Sequence, residues 1–128
     1  MTSGDISERV LRFIAAQIET VPQLEALLLL WGDPARAWSA DEIAVRIYVL
    51  REAAEGVLES LKRRQLAASE GEPPRYRYAG AWDTKGDLMP EIAAAYRHHL
   101  VQIATFIHLG ASPAVREFAR AFDLKKEP

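Results

Sequence analysis

Residues 38–68, WSADEIAVRIYVLREAAEGVLESLKRRQLAA, hold two helix signatures with a short break between them and an extended segment directly behind. Ser39 followed by Glu42 is a capping-box pair, in which the hydroxyl accepts from a free helical amide and the carboxylate reaches back to the amide of the cap. Behind it Ile43, Ala44 and Ile47 recur at helical spacing. Tyr48 to Leu50 interrupts that pattern, and a new one runs over 51–64 with Ala54, Val57, Leu58 and Leu61 on one face. Leu66–Ser69 and Arg75–Ala79 read as two strands joined by the turn cluster EGEPP, because RYRYA sends alternate side chains to opposite faces.

Outward from this stretch the chain is helical. Toward the N-terminus, Ala37 and Trp38 form a short extended piece, preceded by a helix that Pro22 opens and Gly32 ends. Leu24, Leu27, Leu28 and Trp31 make that helix apolar around most of its girth, so it is expected to be central. Asp5 and Glu8 form another capping box for a first helix over 6–18, whose apolar positions are Ile6, Val10, Phe13, Ile14 and Ile18. Toward the C-terminus, one long helix is expected from about Asp87 to Leu109, with Pro90 in its first turn and Gly110 closing it. Ser112 and Pro113 then open a short last helix lined by Val115, Phe118, Ala119 and Phe122, before a frayed LKKEP tail. With no repeat or linker, residues 1–128 are expected to form a single domain with a core over 23–80.

Composition narrows the functional classes. The chain has 128 residues, 16 basic and 18 acidic, a formal net charge of −2 and no cysteine. A thiol nucleophile, a disulfide framework and a cysteine zinc site are thereby excluded. The longest apolar run, Ala26–Trp31, falls far short of the ~20 residues a bilayer needs. The start MTSGDISERV lacks a basic region followed by an apolar one. A cytoplasmic protein without a membrane partner is expected. His98, His99 and His108 lack the i,i+4 spacing of a metal-binding pair, and no phosphate loop, nucleophile elbow or paired carboxylates occur, so neither a cofactor, a metal nor an enzymatic activity is expected.

The order helix, helix, short strand, helix, helix, hairpin, long helix, short helix, together with residues 38–68, resembles the winged helix-turn-helix of MarR-type bacterial transcriptional regulators. The matching positions are Ser39 at the cap, small Ala44 where two helices touch, Val49 in the turn, and Ala54, Val57, Leu58, Leu61 and Leu66 in the core. The resemblance covers roughly residues 23–80, and the flanking helices match in order only. It implies a mainly α fold with a small β-hairpin wing and with N- and C-terminal dimerisation helices. It also implies a homodimeric, DNA-binding regulator whose fourth helix enters the major groove while the wing touches the flanking backbone.

Transferred to this chain, the DNA-facing positions are Arg51, Glu52, Glu55, Lys62 and Arg63 on the fourth helix and Arg75 and Arg77 on the wing. Arg51 with Glu55, and Glu59 with Arg63, have the i,i+4 spacing of ion pairs on a solvated face. Over 38–80 the seven basic residues are matched by seven acidic ones, and Leu50 stands at the head of the fourth helix where the family usually has Ser or Thr. DNA readers are usually basic here. The acidic helix therefore keeps a second reading open, a winged-helix module that binds a protein partner and does not read DNA. On the long helix Leu88, Ile92, Tyr96, His99, Leu100, Ile103, Phe106 and Ile107 cover about half the circumference, a stripe wide enough to meet both its own domain and a second surface. Tyr96, His99, Leu100, Ile103, Phe106 and Ile107, with Phe118 and Phe122 beyond, are the expected dimer contacts. His99 falls inside that stripe and His98 outside it.

Overall fold

Apart from the Tyr48–Leu50 turn, the segments of Trp38–Tyr78 adopt the conformations their own residues favour, and the main chain then ties them together. The computed structural model of the protein describes residues 6–110. Asp5 and the expected last helix with Phe118 and Phe122 lie outside the described residues, but the first helix is capped by Ser7 with Glu8 as its first residue, which overturns the expected Asp5–Glu8 box. The chain divides into two compact units, one of Pro22–Met89 and one formed by the segments before and after it.

The first unit contains α2 (Val21–Gly32), α3 (Ala40–Ile47), α4 (Arg51–Arg63), β1 (Ala67–Glu70) and β2 (Arg75–Tyr78). In α2, Leu24, Ala26, Leu27 and Leu30 are fully buried, each leucine contributing roughly 1.5–3 kcal/mol on removal from water. Gln23 is buried among them and donates to the Ser60 hydroxyl at 2.7 Å, which satisfies the amide. Ser39 caps α3 with both bonds of the box formed, 3.1 Å from the Glu42 amide and 2.9 Å from the Ser39 amide to the Glu42 carboxylate. α3 stops because Tyr48 turns left-handed, at φ 60, with its amide bonded to the Ala44 carbonyl. The expected core residues Ala54, Leu58 and Leu61 of α4 are buried, whereas Val57 is only half-buried.

The two strands pair antiparallel with Ala67 opposite Tyr78 and Glu70 opposite Arg75. Trp38 adds a single bridge to this hairpin: its amide donates to the Tyr76 carbonyl at 2.7 Å and the Tyr76 amide returns a bond of 2.8 Å. Tyr76 is buried, and its hydroxyl donates to the Glu59 carboxylate of α4 at 2.5 Å. This overturns the expected Glu59–Arg63 pair, because a buried phenol needs an acceptor and Glu59 supplies it.

The second unit contains α1 (Glu8–Gln17), most of α5 (Leu88–His98) and α6 (Leu100–Gly110). Ser7 caps α1 by accepting from the Val10 amide at 3.3 Å. α1 packs on α6, with Val10, Phe13 and Ile14 buried on the former and Ile103 and Ile107 on the latter. The expected single long helix is divided at His99. Helical bonds still cross the junction, His99 to the Ala95 carbonyl at 2.8 Å and Ile103 to the His99 carbonyl at 2.9 Å. The bend falls where the strong helix formers Ala93–Ala95 give way to His98, His99 and β-branched Val101. The start of α5 is capped by Asp83, whose carboxylate accepts from the Leu88 and Met89 amides, rather than by a residue adjacent to the helix.

Two predictions follow from local bonding. Burial, with the adjacent Glu59 carboxylate, pushes the Tyr76 phenol from its ordinary 10.0 to about 12. A raised folded-state value means that the neutral phenol stabilises the fold below pH 10 and that this contribution is lost as pH climbs toward 12. Tyr76→Phe should lower stability at neutral pH by about 1–3 kcal/mol in denaturant titration and flatten the alkaline decline, leaving the slope due to Tyr78, which burial also raises to about 12. At the other end of α4, Leu50 occupies the cap position with no side-chain hydrogen bond. Leu50→Ser should supply the missing acceptor and raise stability by about 1 kcal/mol, read as a higher Tm; an unchanged or lower Tm would contradict it.

Candidate nucleic-acid interface

The exposed face of α4 begins with Leu50, Arg51, Glu52 and Ala53, continues through Glu55 and Gly56, and ends with Lys62 and Arg63. At its head Arg51 is held between two carboxylates, its Nε 3.3 Å from Glu55 and 3.6 Å from Asp41 of α3. The expected Arg51–Glu55 pair is thus present, and Asp41 joins it. Exposed pairs of this kind contribute about 0–1 kcal/mol, so they orient the guanidinium more than they stabilise the fold. Glu52 is exposed. At the far end Lys62 and Arg63 face solvent, whereas Arg64 donates to the Ser60 hydroxyl at 3.4 Å.

Alternation along β2 places Arg75 and Arg77 opposite Tyr76 and Tyr78, as the sequence pattern requires. Both arginines are engaged. Arg75 donates through Nη1 to the Ala37 carbonyl at 3.0 Å and to the Glu42 carboxylate at 3.3 Å, and Arg77 pairs with Glu70 at 2.6 Å. Glu42 is shared by the wing and the cap of α3. Its carboxyl is held below the ordinary 4.5 by the hydrogen bond from the Ser39 amide, with further help from Arg75 and from Arg36 at 3.6 Å. Arg36 also lies over the Trp38 ring, 3.6 Å from its centroid, with Arg46 at 5.4 Å. The tip of the wing is Gly71, at φ 85, flanked by Glu70 and Glu72.

Seven DNA-facing positions were expected from the sequence. All lie on α4 or β2, with Arg51 and Glu55 joined directly and Arg75 and Arg77 bound to carboxylates of their own. The sequence pattern did not mark the group just ahead of α4. Val45, Tyr48 and Leu50 are large, apolar and exposed around the α3–α4 turn. The available signal was an aromatic residue at a helix break followed by leucine at a cap position, both poor local choices.

Among the expected dimer contacts, Ile103 and Ile107 are buried within the chain, Tyr96, His99 and Phe106 are half-buried, and Leu100 is half exposed. Val101 and Leu109, not among those expected, also present apolar surface to solvent. No group of three or more His, Asp or Glu suited to a metal occurs among the described residues, and no single helix there is long and apolar enough to cross a membrane.

No family model and no curated protein matches the chain. Solved structures do. A MarR family protein from Bacillus stearothermophilus superposes with a TM-score of 0.50 at 17% identity, over 94% of this chain and 82% of the other. RV1404 from Mycobacterium tuberculosis superposes with a TM-score of 0.50 at 16% identity, over 94% of this chain and 84% of that one. Six helices and a two-stranded hairpin among the described residues, in this order and with these neighbours, make the fold a MarR-like winged helix.

Proposed function

We propose that the protein is a cytoplasmic, DNA-binding transcriptional regulator that acts as a homodimer, a binding protein rather than an enzyme. The observation that carries this reading is the complete helix-turn-helix and wing within a fold shared along 94% of the chain with a MarR family protein. Lys62 and Arg63, exposed at the end of α4, are the cations available to phosphates, and Arg51, Arg75 and Arg77 join them when their carboxylates let go. The dimer surface is assigned to α5 and α6, through half-buried Tyr96, His99 and Phe106 and the outward Leu100 and Val101. The engagement of Arg51, Arg75 and Arg77 by carboxylates favours a second reading, docking of a protein partner without DNA.

Binding to pooled duplex DNA at two salt concentrations separates these readings. Phosphate-driven binding must weaken steeply with salt, and replacing both Lys62 and Arg63 by Gln should lower the logarithmic salt slope by about two units. No duplex binding at low salt and protein concentrations above about 10⁻⁴ M overturns the DNA reading in favour of the protein partner. For assembly, light scattering at micromolar concentration should report a dimer. Val101→Asp should dissociate it while leaving the helical signal intact, because Val101 is 75% exposed in the single chain. Ile103→Glu should instead unfold the second unit, since Ile103 is fully buried there. A monomer in the wild type overturns the homodimer.

A further inference from the structure

Val45 is 73% exposed, Tyr48 93% and Leu50 78%, all within one turn of the helix-turn-helix. Two of them oppose their local backbone. Tyr48 holds φ 60, a conformation that Gly or Asn adopts with less strain, and Leu50 occupies a helix cap that Ser, Thr, Asp or Asn would bond. Neither is compensated by burial. Local preferences broken twice within three residues, on an open surface, mark a contact with something outside the chain.

The neighbouring groups limit what that contact is. Arg51 is held by Asp41 and Glu55, and Glu52 stands exposed beside Leu50. The head of α4 therefore offers apolar surface and carboxylate acceptors, with its guanidinium engaged. In a major groove, apolar groups match the thymine C5-methyl. A carboxylate accepts from the cytosine N4 amine, is opposed by the two acceptors of guanine, and meets an acceptor beside the amine of adenine. The position of the group also decides. In a helix-turn-helix the roughly three or four side chains that reach base edges come from the start of the second helix, where Leu50 and Glu52 stand with Tyr48 just ahead.

We propose that the head of α4 reads pyrimidines: Leu50 and Tyr48, flanked by Val45, cover thymine methyls, and Glu52 accepts from a cytosine amine. This rests on the DNA-binding reading above and names the chemistry by which that site selects sequence. The absence of Ser or Thr at the head of the helix then alters the bases read without abolishing reading.

The test uses the full chain and duplexes enriched from a randomised library, resynthesised with uracil in place of thymine. That exchange removes the methyl and keeps the base pairing. Wild-type affinity should fall about fourfold for each contacted methyl. Leu50→Ser and Tyr48→Asn, both suited to the local backbone, should each lower the thymine-over-uracil preference by about the fourfold of one methyl, and Glu52→Gln should shift a preferred cytosine to adenine. Equal wild-type affinity for the two duplexes, an enriched motif without thymine, or an undiminished thymine preference in both variants overturns the proposal while leaving DNA binding in place. Failure to bind any duplex at low salt overturns both readings, and it is the result expected of a face that docks a basic protein.

Discussion

Tyr76 joins three segments that are far apart in the chain. Its amide and carbonyl exchange bonds with Trp38 ahead of α3, its strand pairs with β1, and its hydroxyl donates to Glu59 on α4. A two-stranded hairpin alone is marginally stable in water. Here the wing gains a bridge on its open edge and a charge-assisted hydrogen bond to a helix, so the position of β2 relative to α4 is set by directional bonds as well as by apolar burial. Tyr76 thereby helps fix the spacing between α4 and the wing.

The same economy of charge governs the surface. Glu42 belongs to the α3 cap and also receives Arg75 and Arg36, while Arg51 and Arg77 each have carboxylates within the unit. Pairing at short range withdraws positive potential from the face that would approach a polyanion, so long-range attraction of a polyanion to this face would be weak. Exposed apolar groups and a free carboxylate at the head of α4 are consistent with that balance.

In the second unit, α1 covers one side of α6 through Ile103 and Ile107, whereas Val101 stays outside. The stripe expected on one long helix is interrupted by the bend at His99, and its residues divide between a covered side (Ile92, Ile103, Ile107) and an outward one (Leu100) on both helices together. Those on the covered side serve the core of the chain, and those opposite remain available to a second surface.

The sequence by itself determined the local events. Ser39 with Glu42 marked a cap, the Tyr48–Leu50 break separated two helices, and the alternation in RYRYA put the two arginines opposite the two tyrosines. These depend on residues within a few positions of one another, where capping and periodicity operate. The local pair Arg51–Glu55 was legible too, but tertiary structure decided the partners of Glu59 and Arg75. Glu59 has Arg63 at helical distance yet bonds Tyr76, and Arg75 reaches back to Glu42 across 33 positions. It also decided that Val45, Tyr48 and Leu50 stay in solvent. Helical spacing states which residues share a face; it does not state whether that face is covered, because coverage depends on where distant segments come to rest.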